Sequence, residues 1–195
     1  MAESGRMGGT CVNVGCIPKK LYSYGAHYAA AFVESAGYGW HIAQAPKLDW
    51  ATLKANRAKE ITRLNGIYEG LMTSAKVLRL QGHGRLIDAH TVEVTTEDGG
   101  TQCHTAHHIL IATGGRPFVP AFPGSELAVT SDDMFDLPVF PRRLLVVGGG
   151  YIGCEMASIF HGLGAQVTLV YRGEQILRGF DDDVRAFTAD EMRKA

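Results

Sequence analysis

The spacing of apolar and polar residues changes character three times along the chain. From about Thr10 to Ser35, alanines and aromatics recur at helical spacing through "LYSYGAHYAAAFVESAG", and Gly37 offers a stop. A second helix is predicted over residues 49–76, "DWATLKANRAKEITRLNGIYEGLMTSAK". The period then falls to two. "VLRLQGHGRLIDAHTVEVTT" alternates apolar and polar residues, and "EDGG" supplies a turn between antiparallel strands. "HHILIATGG" is apolar for most of its length and reads as a buried strand ending in glycines. "RPFVPAFPG", residues 116–124, holds three prolines and no period, which marks a connector. Beyond it, "RRLLVVGGG" predicts a strand and turn, "YIGCEMASIFHGLGA" a helix and "QVTLVYR" a second strand, a βαβ unit. The pattern predicts an α/β chain in two parts, residues 1–116 and 117–195, without internal repeats.

Composition narrows the function classes. A chain of 195 residues with 24 glycines and 46% hydrophobic residues is globular and loop-rich, neither disordered nor fibrous. A net charge of −1 offers no basic surplus for nucleic acid. No apolar run is long enough to span a bilayer, and "MAESGRMGG" is too polar and too short for a signal peptide. The expectation is a cytosolic protein with neither a nucleic-acid nor a membrane partner.

The strongest local motif is "GGGYIG". It sets Gly148, Gly150 and Gly153 in G-x-G-x-x-G spacing, after an apolar strand and at the start of a helix. In that context the pattern is a dinucleotide fingerprint. Gly148 allows a tight turn, Gly150 lets a pyrophosphate approach the backbone, and Gly153 lets helix and strand pack closely. The helix N-terminus then offers N–H groups and the positive end of its dipole to phosphate. An NAD site calls for an acid about 20 residues later, to hold the ribose hydroxyls. Here that position reads Tyr171 and Arg172, with Arg178 beyond. Guanidinium groups suit a 2′-phosphate, so the pattern favours NADPH.

Of the four cysteines, Cys103 and Cys154 read as packing residues. Cys11 and Cys16, in "GGTCVNVGCIPKK", could be a staple, a metal site or a chemical centre. A metal site lacks ligands: no second Cys or His pair stands at suitable spacing. His107 and His108, adjacent in the expected strand, would point to opposite faces. In an ideal helix, residues five apart lie about 140° apart around the axis, slightly too far for a disulfide. Gly15 loosens that helix, and Pro18 removes the hydrogen bond to the carbonyl of Val14. A distorted turn could therefore bring the sulfurs together. So short a loop makes a poor staple and a serviceable redox couple. Two unlinked buried cysteines remain the alternative.

"GGTCVNVGCIPKKL" resembles the redox-active segment of the flavin-dependent pyridine nucleotide–disulfide oxidoreductases. The resemblance continues through "RLNGIYEG", "HHILIATGGRPFVPAFPG", "TSDDMFDLP" and "RRLLVVGGGYIGCEMASIFHGLGAQVTLVYRGEQILRGFDDD", and so covers nearly the whole chain. Within the family the chain is similar to NADPH-linked members that act on glutathione disulfide. "YRGEQILR" sets it apart from the NAD-linked dihydrolipoamide dehydrogenases.

The resemblance implies FAD and NADPH as cofactors and two Rossmann-like dinucleotide-binding domains, both incomplete here. Reducing equivalents would pass from NADPH by way of FAD to a Cys11–Cys16 disulfide, and then to glutathione disulfide. Cys16 would face the flavin, and Cys11 would form the mixed disulfide. Lys19 would lie near the flavin and pair with Glu155. Tyr151 would cover the nicotinamide pocket. Glu3, eight residues before Cys11, would bind the FAD ribose, with Thr10 and Gly84 as further FAD contacts. Gly149, Ile152, Glu155, Arg172 and Arg178 would contact NADPH, and Tyr68 would lie against the disulfide substrate. The family's working form is a homodimer.

The chain also departs from the family pattern. The family has two glycine fingerprints, and one occurs here. The later FAD-binding segment has no counterpart, nor has the interface domain that supplies a proton-donating histidine across the dimer. The chain is therefore expected to be a fragment. A related reductase of another disulfide or of a metal ion is a second reading, and a non-catalytic nucleotide-binding fragment is a third.

Overall fold

The computed structural model describes residues 1–194. The chain forms two compact units, each assembled from two stretches: Met1–Pro18 with Arg57–Ala128, and Lys19–Asn56 with Val129–Ala195. Helices and strands are mixed, and the strands fall into three separate sheets.

The first unit holds β1 (Ala2–Glu3), α1 (Gly9–Val14), most of α3 (Trp50–Ser74), β2 (Leu80–Gln81), β3 (His83–Leu86), β4 (Thr91–Thr95) and β5 (Thr101–Thr105). β1 pairs in parallel with β2, Ala2 opposite Leu80. The Met1 ammonium extends that ladder by donating to the Leu78 carbonyl at 2.7 Å. β3, β4 and β5 form an antiparallel meander, as the alternating pattern predicts. The "EDGG" turn closes with the Thr96 N–H on the Gly100 carbonyl oxygen at 2.9 Å. Val12, Ile61 and Val94 are buried in this unit.

"HHILIATGG" is not a strand. Residues 106–122 form neither helix nor strand, and Leu110 is 90% exposed. A strand needs a neighbour for its N–H and C=O groups. None of the described strands lies beside this run, so apolar character alone does not order it. His107 and His108 consequently have no opposed strand faces.

The second unit holds α2 (Cys16–Glu34) from Lys19 onward, the first turns of α3, β6 (Arg143–Val147), α4 (Tyr151–Gly162), β7 (Gln166–Val170) and α5 (Asp182–Lys194). The long helix expected from Thr10 is thus two helices, interrupted at Gly15. α2 ends at Glu34, ahead of the expected stop at Gly37. A 3-10 turn runs on to Tyr38, and Gly39 takes the left-handed conformation, φ 83°. α3 begins at Trp50 because Asp49 caps it: its carboxylate accepts from the Thr52 N–H at 3.1 Å and the Thr52 hydroxyl at 2.6 Å. β6, α4 and β7 form the predicted βαβ unit, with Leu144 opposite Val167 in a parallel ladder.

An aromatic cluster forms the core of this unit. Tyr22, Phe135 and Phe160 are fully buried. Tyr22 meets Trp50 edge-on, ring centroids 5.2 Å apart, and Phe140 stacks on Phe160 at 6.0 Å. Such pairs are worth about 0.5–1.5 kcal/mol each beyond the area they bury. The polar ends are satisfied: the Tyr22 hydroxyl donates to the Phe135 carbonyl at 2.7 Å, and the Trp50 indole N–H to that of Leu137 at 2.9 Å. No helix among the described residues is long and apolar enough to cross a membrane.

Candidate functional site

Each unit carries part of the chemistry that the sequence marks out. In the first, α1 starts after Gly8, whose φ is 105°, and stops at Gly15. A side chain at Gly15 would bring its Cβ to 2.9 Å from the Thr10 carbonyl oxygen and 3.3 Å from the Cys11 Cα. The bare glycine lets the backbone just before Cys16 lie against that of Cys11. α2 then starts at Cys16, so Pro18 falls in its first turn, where a missing N–H costs nothing. Cys11 and Cys16 are both exposed, not buried as the alternative of two unlinked cysteines had them.

Two asparagines fix this segment, and sequence reasoning passed over both. Asn13 is buried, and its amide nitrogen donates to the carbonyls of Gly9 at 2.9 Å and Met7 at 3.2 Å. Asn65, on α3, donates to the Asn13 side-chain oxygen at 3.0 Å and to the Met7 carbonyl at 2.6 Å. The cysteine segment is thereby bolted to α3 through side-chain amides. The only available signal was polar residues inside helical stretches, where a buried role leaves no periodic trace.

The other predicted residues of this unit are Glu3, Thr10, Gly84 and Tyr68. Glu3 ends β1, and its carboxylate accepts the Gly5 N–H at 2.7 Å, which orients it. An acid at the end of a parallel strand suits ribose hydroxyls. Thr10 is exposed on α1. Gly84 lies in β3, where an added Cβ would make ordinary contact with the Ala2 Cβ at 3.4 Å. Tyr68 is 37% exposed on α3, beside exposed Ile67 and Leu71, and is not a core aromatic.

In the second unit the glycine turn joins β6 to α4. Gly148 has φ 127°, which L side chains rarely adopt, so the tight turn requires it. Nothing lies within 4 Å of where a Gly150 Cβ would stand, which leaves the approach to that backbone open. A Cβ at Gly153 would run into the Gly148 carbonyl oxygen. The three glycines thus meet the three requirements of the fingerprint. A cavity of about 290 Å³ is lined by Gly148, Gly149, Gly150, Tyr171, Arg172 and Arg178. An open glycine backbone, the N-terminus of a twelve-residue helix and two guanidinium groups fit the phosphates of a dinucleotide.

Tyr151 and Ile152 open α4 and are exposed. Glu155, one turn on, accepts a hydrogen bond from the Lys19 ammonium of α2 at 2.7 Å. The pair is partly shielded, with side-chain exposures of 28% and 38%. Between these residues Cys154 is buried. Burial pushes its thiol above the ordinary range, its own backbone N–H works against that, and the Glu155 carboxylate adds to the rise. Cys154 is thus a packing residue, as expected. Cys103 is not: it stands exposed on β5, an edge strand, in register with Glu93 and the Arg85–Glu93 ion pair. Among the described residues no group of three or more His, Cys, Asp or Glu side chains could hold a metal ion.

The sequence profile of the pyridine nucleotide-disulphide oxidoreductases matches residues 1–195. A glutathione reductase of Burkholderia cepacia is 47% identical over 195 residues, covering 100% of this chain and 42% of its own length. The chloroplastic/mitochondrial glutathione reductase of Pisum sativum is 46% identical over 179 residues, 92% of this chain and 32% of its own. One from Nostoc sp. is 45% identical over 192 residues, 98% of this chain and 40% of its own. The chain therefore spans between 32% and 42% of the length of these relatives.

Proposed function

The chain belongs to the pyridine nucleotide-disulphide oxidoreductase family, and on that premise we propose that it is part of an FAD-dependent NADPH:glutathione-disulfide oxidoreductase. Residues 1–116 would serve FAD and residues 117–195 NADPH, in a cytosolic homodimer. The break at Gly15 carries the reading, because it leaves two exposed cysteines on adjoining helix ends. When bound, NADPH and FAD supply the electron pair that opens the Cys11–Cys16 disulfide.

The chain's own residues do the rest. Cys11, as thiolate, attacks one sulfur of glutathione disulfide. One glutathione leaves with the electron pair, and the other stays in a mixed disulfide with Cys11. Cys16 then attacks the Cys11 sulfur, re-forms the internal disulfide and releases the second glutathione. Each leaving thiolate takes up one proton. One cysteine could not serve both ends of this relay, because exchange needs access to substrate and reduction needs a sulfur against the flavin. Lys19, fixed by Glu155, holds a positive charge at a defined place for the flavin ring. Tyr68 offers an exposed ring to the substrate, and Tyr151, exposed at the start of α4, would cover the nicotinamide. Glu3, Thr10 and Gly84 hold FAD. The glycine turn with Ile152, Glu155, Arg172 and Arg178 holds NADPH.

Thiol counting tests the relay. The flavin-loaded enzyme is expected to gain two thiols on addition of NADPH, and Cys11→Ser and Cys16→Ser are each expected to abolish turnover of glutathione disulfide. Turnover that survives Cys11→Ser, or a wild type that gains no thiols, would overturn the assignment.

A further inference from the structure

The segment after β7 carries both arginines of the cavity, and three contacts tie it to the glycine turn. The Gly148 N–H donates to the Val170 carbonyl at 2.8 Å. The Leu177 N–H donates to the Gly149 carbonyl at 2.6 Å, with Leu177 buried and in the left-handed region, φ 57°. Between these two hydrogen bonds lies a side-chain contact. A Cβ on Gly149 would stand 2.6 Å from the Tyr171 Cγ, and one on Gly173 would stand 2.6 Å from its Cε1. The Tyr171 ring therefore occupies the space that side chains at both glycines would claim. Its base rests on the phosphate turn and its far end on the arginine-bearing strap.

We propose that Tyr171 is a positioning residue for NADPH selectivity: its ring holds residues 171–178 against Gly149, so that Arg172 and Arg178 face a 2′-phosphate. This rests on the reading of those arginines given above. The two hydrogen bonds fix the ends of the strap, and the Arg185 guanidinium holds its second half by donating to the carbonyls of Gln175 at 3.1 Å and Ile176 at 2.9 Å. The ring holds the first half, next to Arg172, because it fills the space that the bare backbones of Gly149 and Gly173 leave to it. Arg172 follows Tyr171 directly, so any rotation of the Tyr171 backbone re-aims that guanidinium first. Neither arginine is held by an ion pair among the described residues, so their aim comes from the backbone that carries them.

The roles can be separated by calorimetric titration of the holoenzyme with adenosine 2′,5′-bisphosphate and with adenosine 5′-monophosphate. Tyr171→Ala is expected to weaken the bisphosphate at least about tenfold, the loss of one charge-assisted hydrogen bond to phosphate. The monophosphate should change less than about threefold, since the turn itself persists. Tyr171→Phe should behave as wild type, because the ring and not the hydroxyl rests on Gly149. Gly149→Ala, which drives a methyl group into the ring, should copy Tyr171→Ala. Thermal unfolding of each variant separates a lost fold from a lost aim, and Tyr171→Phe keeps the test valid if the alanine variant unfolds. A Tyr171→Ala enzyme that keeps its preference for the bisphosphate overturns the proposal if Arg172→Ala loses that preference. If Arg172→Ala and Arg178→Ala both keep it, the reading of the arginines fails, and the role of Tyr171 fails with it. A Tyr171→Phe enzyme as weak as Tyr171→Ala would move the role from the ring to the hydroxyl and overturn it also.

Discussion

Residues 143–147 and residues 108–112 are both short apolar stretches that run into glycines, and the molecule treats them in opposite ways. The first is β6, paired residue for residue with β7. The second is an exposed, irregular connector. Neither is richer in strand-forming residues to a degree that explains this. The difference lies in the chain beyond each stretch. After Val147 the glycine turn launches α4, which returns the chain in time for Gln166 to begin β7 beside Arg143. After Gly115 three prolines carry the chain away, and no described strand comes back. A strand is a relation between two segments, and the second of these stretches lacks its other half.

The comparison can be broken first at the glycines. Gly153→Ala would push a methyl group into the Gly148 carbonyl, and crowding of this kind costs about 1–3 kcal/mol. At Gly115 an added Cβ meets nothing within 4 Å, so Gly115→Ala should stay within about 0.5 kcal/mol of wild type. Urea unfolding of the two variants measures both; equal losses would mean that the stretches are equally packed.

A smaller effect sharpens the same contrast through pH. Burial raises the Cys154 thiol, which follows Gly153 in α4. Below the ordinary thiol range the group is neutral whether the chain is folded or unfolded, and its contribution is fully present. As pH rises through that range, the unfolded chain loses the proton while the folded one keeps it. Stability therefore falls until the folded thiol also ionises. Stability measured against alkaline pH should show this slope in the wild type and lose it in Cys154→Ala. A slope that Cys154→Ala leaves unchanged would assign it elsewhere. The smallest effect belongs to Leu110, 90% exposed: Leu110→Ser should shift stability by less than about 0.5 kcal/mol. Hydrogen exchange of the 195-residue chain should find the amides of β6 protected and those of residues 108–112 open. Protection in both would end the comparison.

These contrasts explain what the sequence could disclose. The glycine turn was legible in full, because its strand, turn, helix and second strand lie within 28 residues and each glycine answers a local steric demand. The meander was legible for the same reason, whereas Asp49, read as the first residue of the second helix, proves to be its cap. The interruption at Gly15 was half legible: glycine and proline announced a distortion, but not two separate helices. "HHILIATGG" was misread, because pairing is not written in the run itself. Cys103 was misread because burial depends on which edge of a sheet is covered. Asn13 and Asn65 stand 52 residues apart, and no spacing rule links them. Tyr171 was seen as the position of a missing acid, while its contact with Gly149 needed coordinates.

The parallel pairing of β1 with β2 has a consequence for the order of events during synthesis. Ala2 and Glu3 pair with Leu80 and Gln81, far along the chain, and Asn13 waits for an amide 52 residues downstream. At about 5–20 residues per second, a ribosome spends on the order of 4–15 s between making β1 and making its partner. Through that interval the segment with Cys11 and Cys16 has neither its strand nor its asparagine bolt, and its sulfurs meet the solvent in whatever geometry the loose chain allows. Pulse-labelling of nascent chains with a thiol-reactive reagent should therefore find both cysteines, once clear of the ribosome, more reactive before Asn65 emerges than after it.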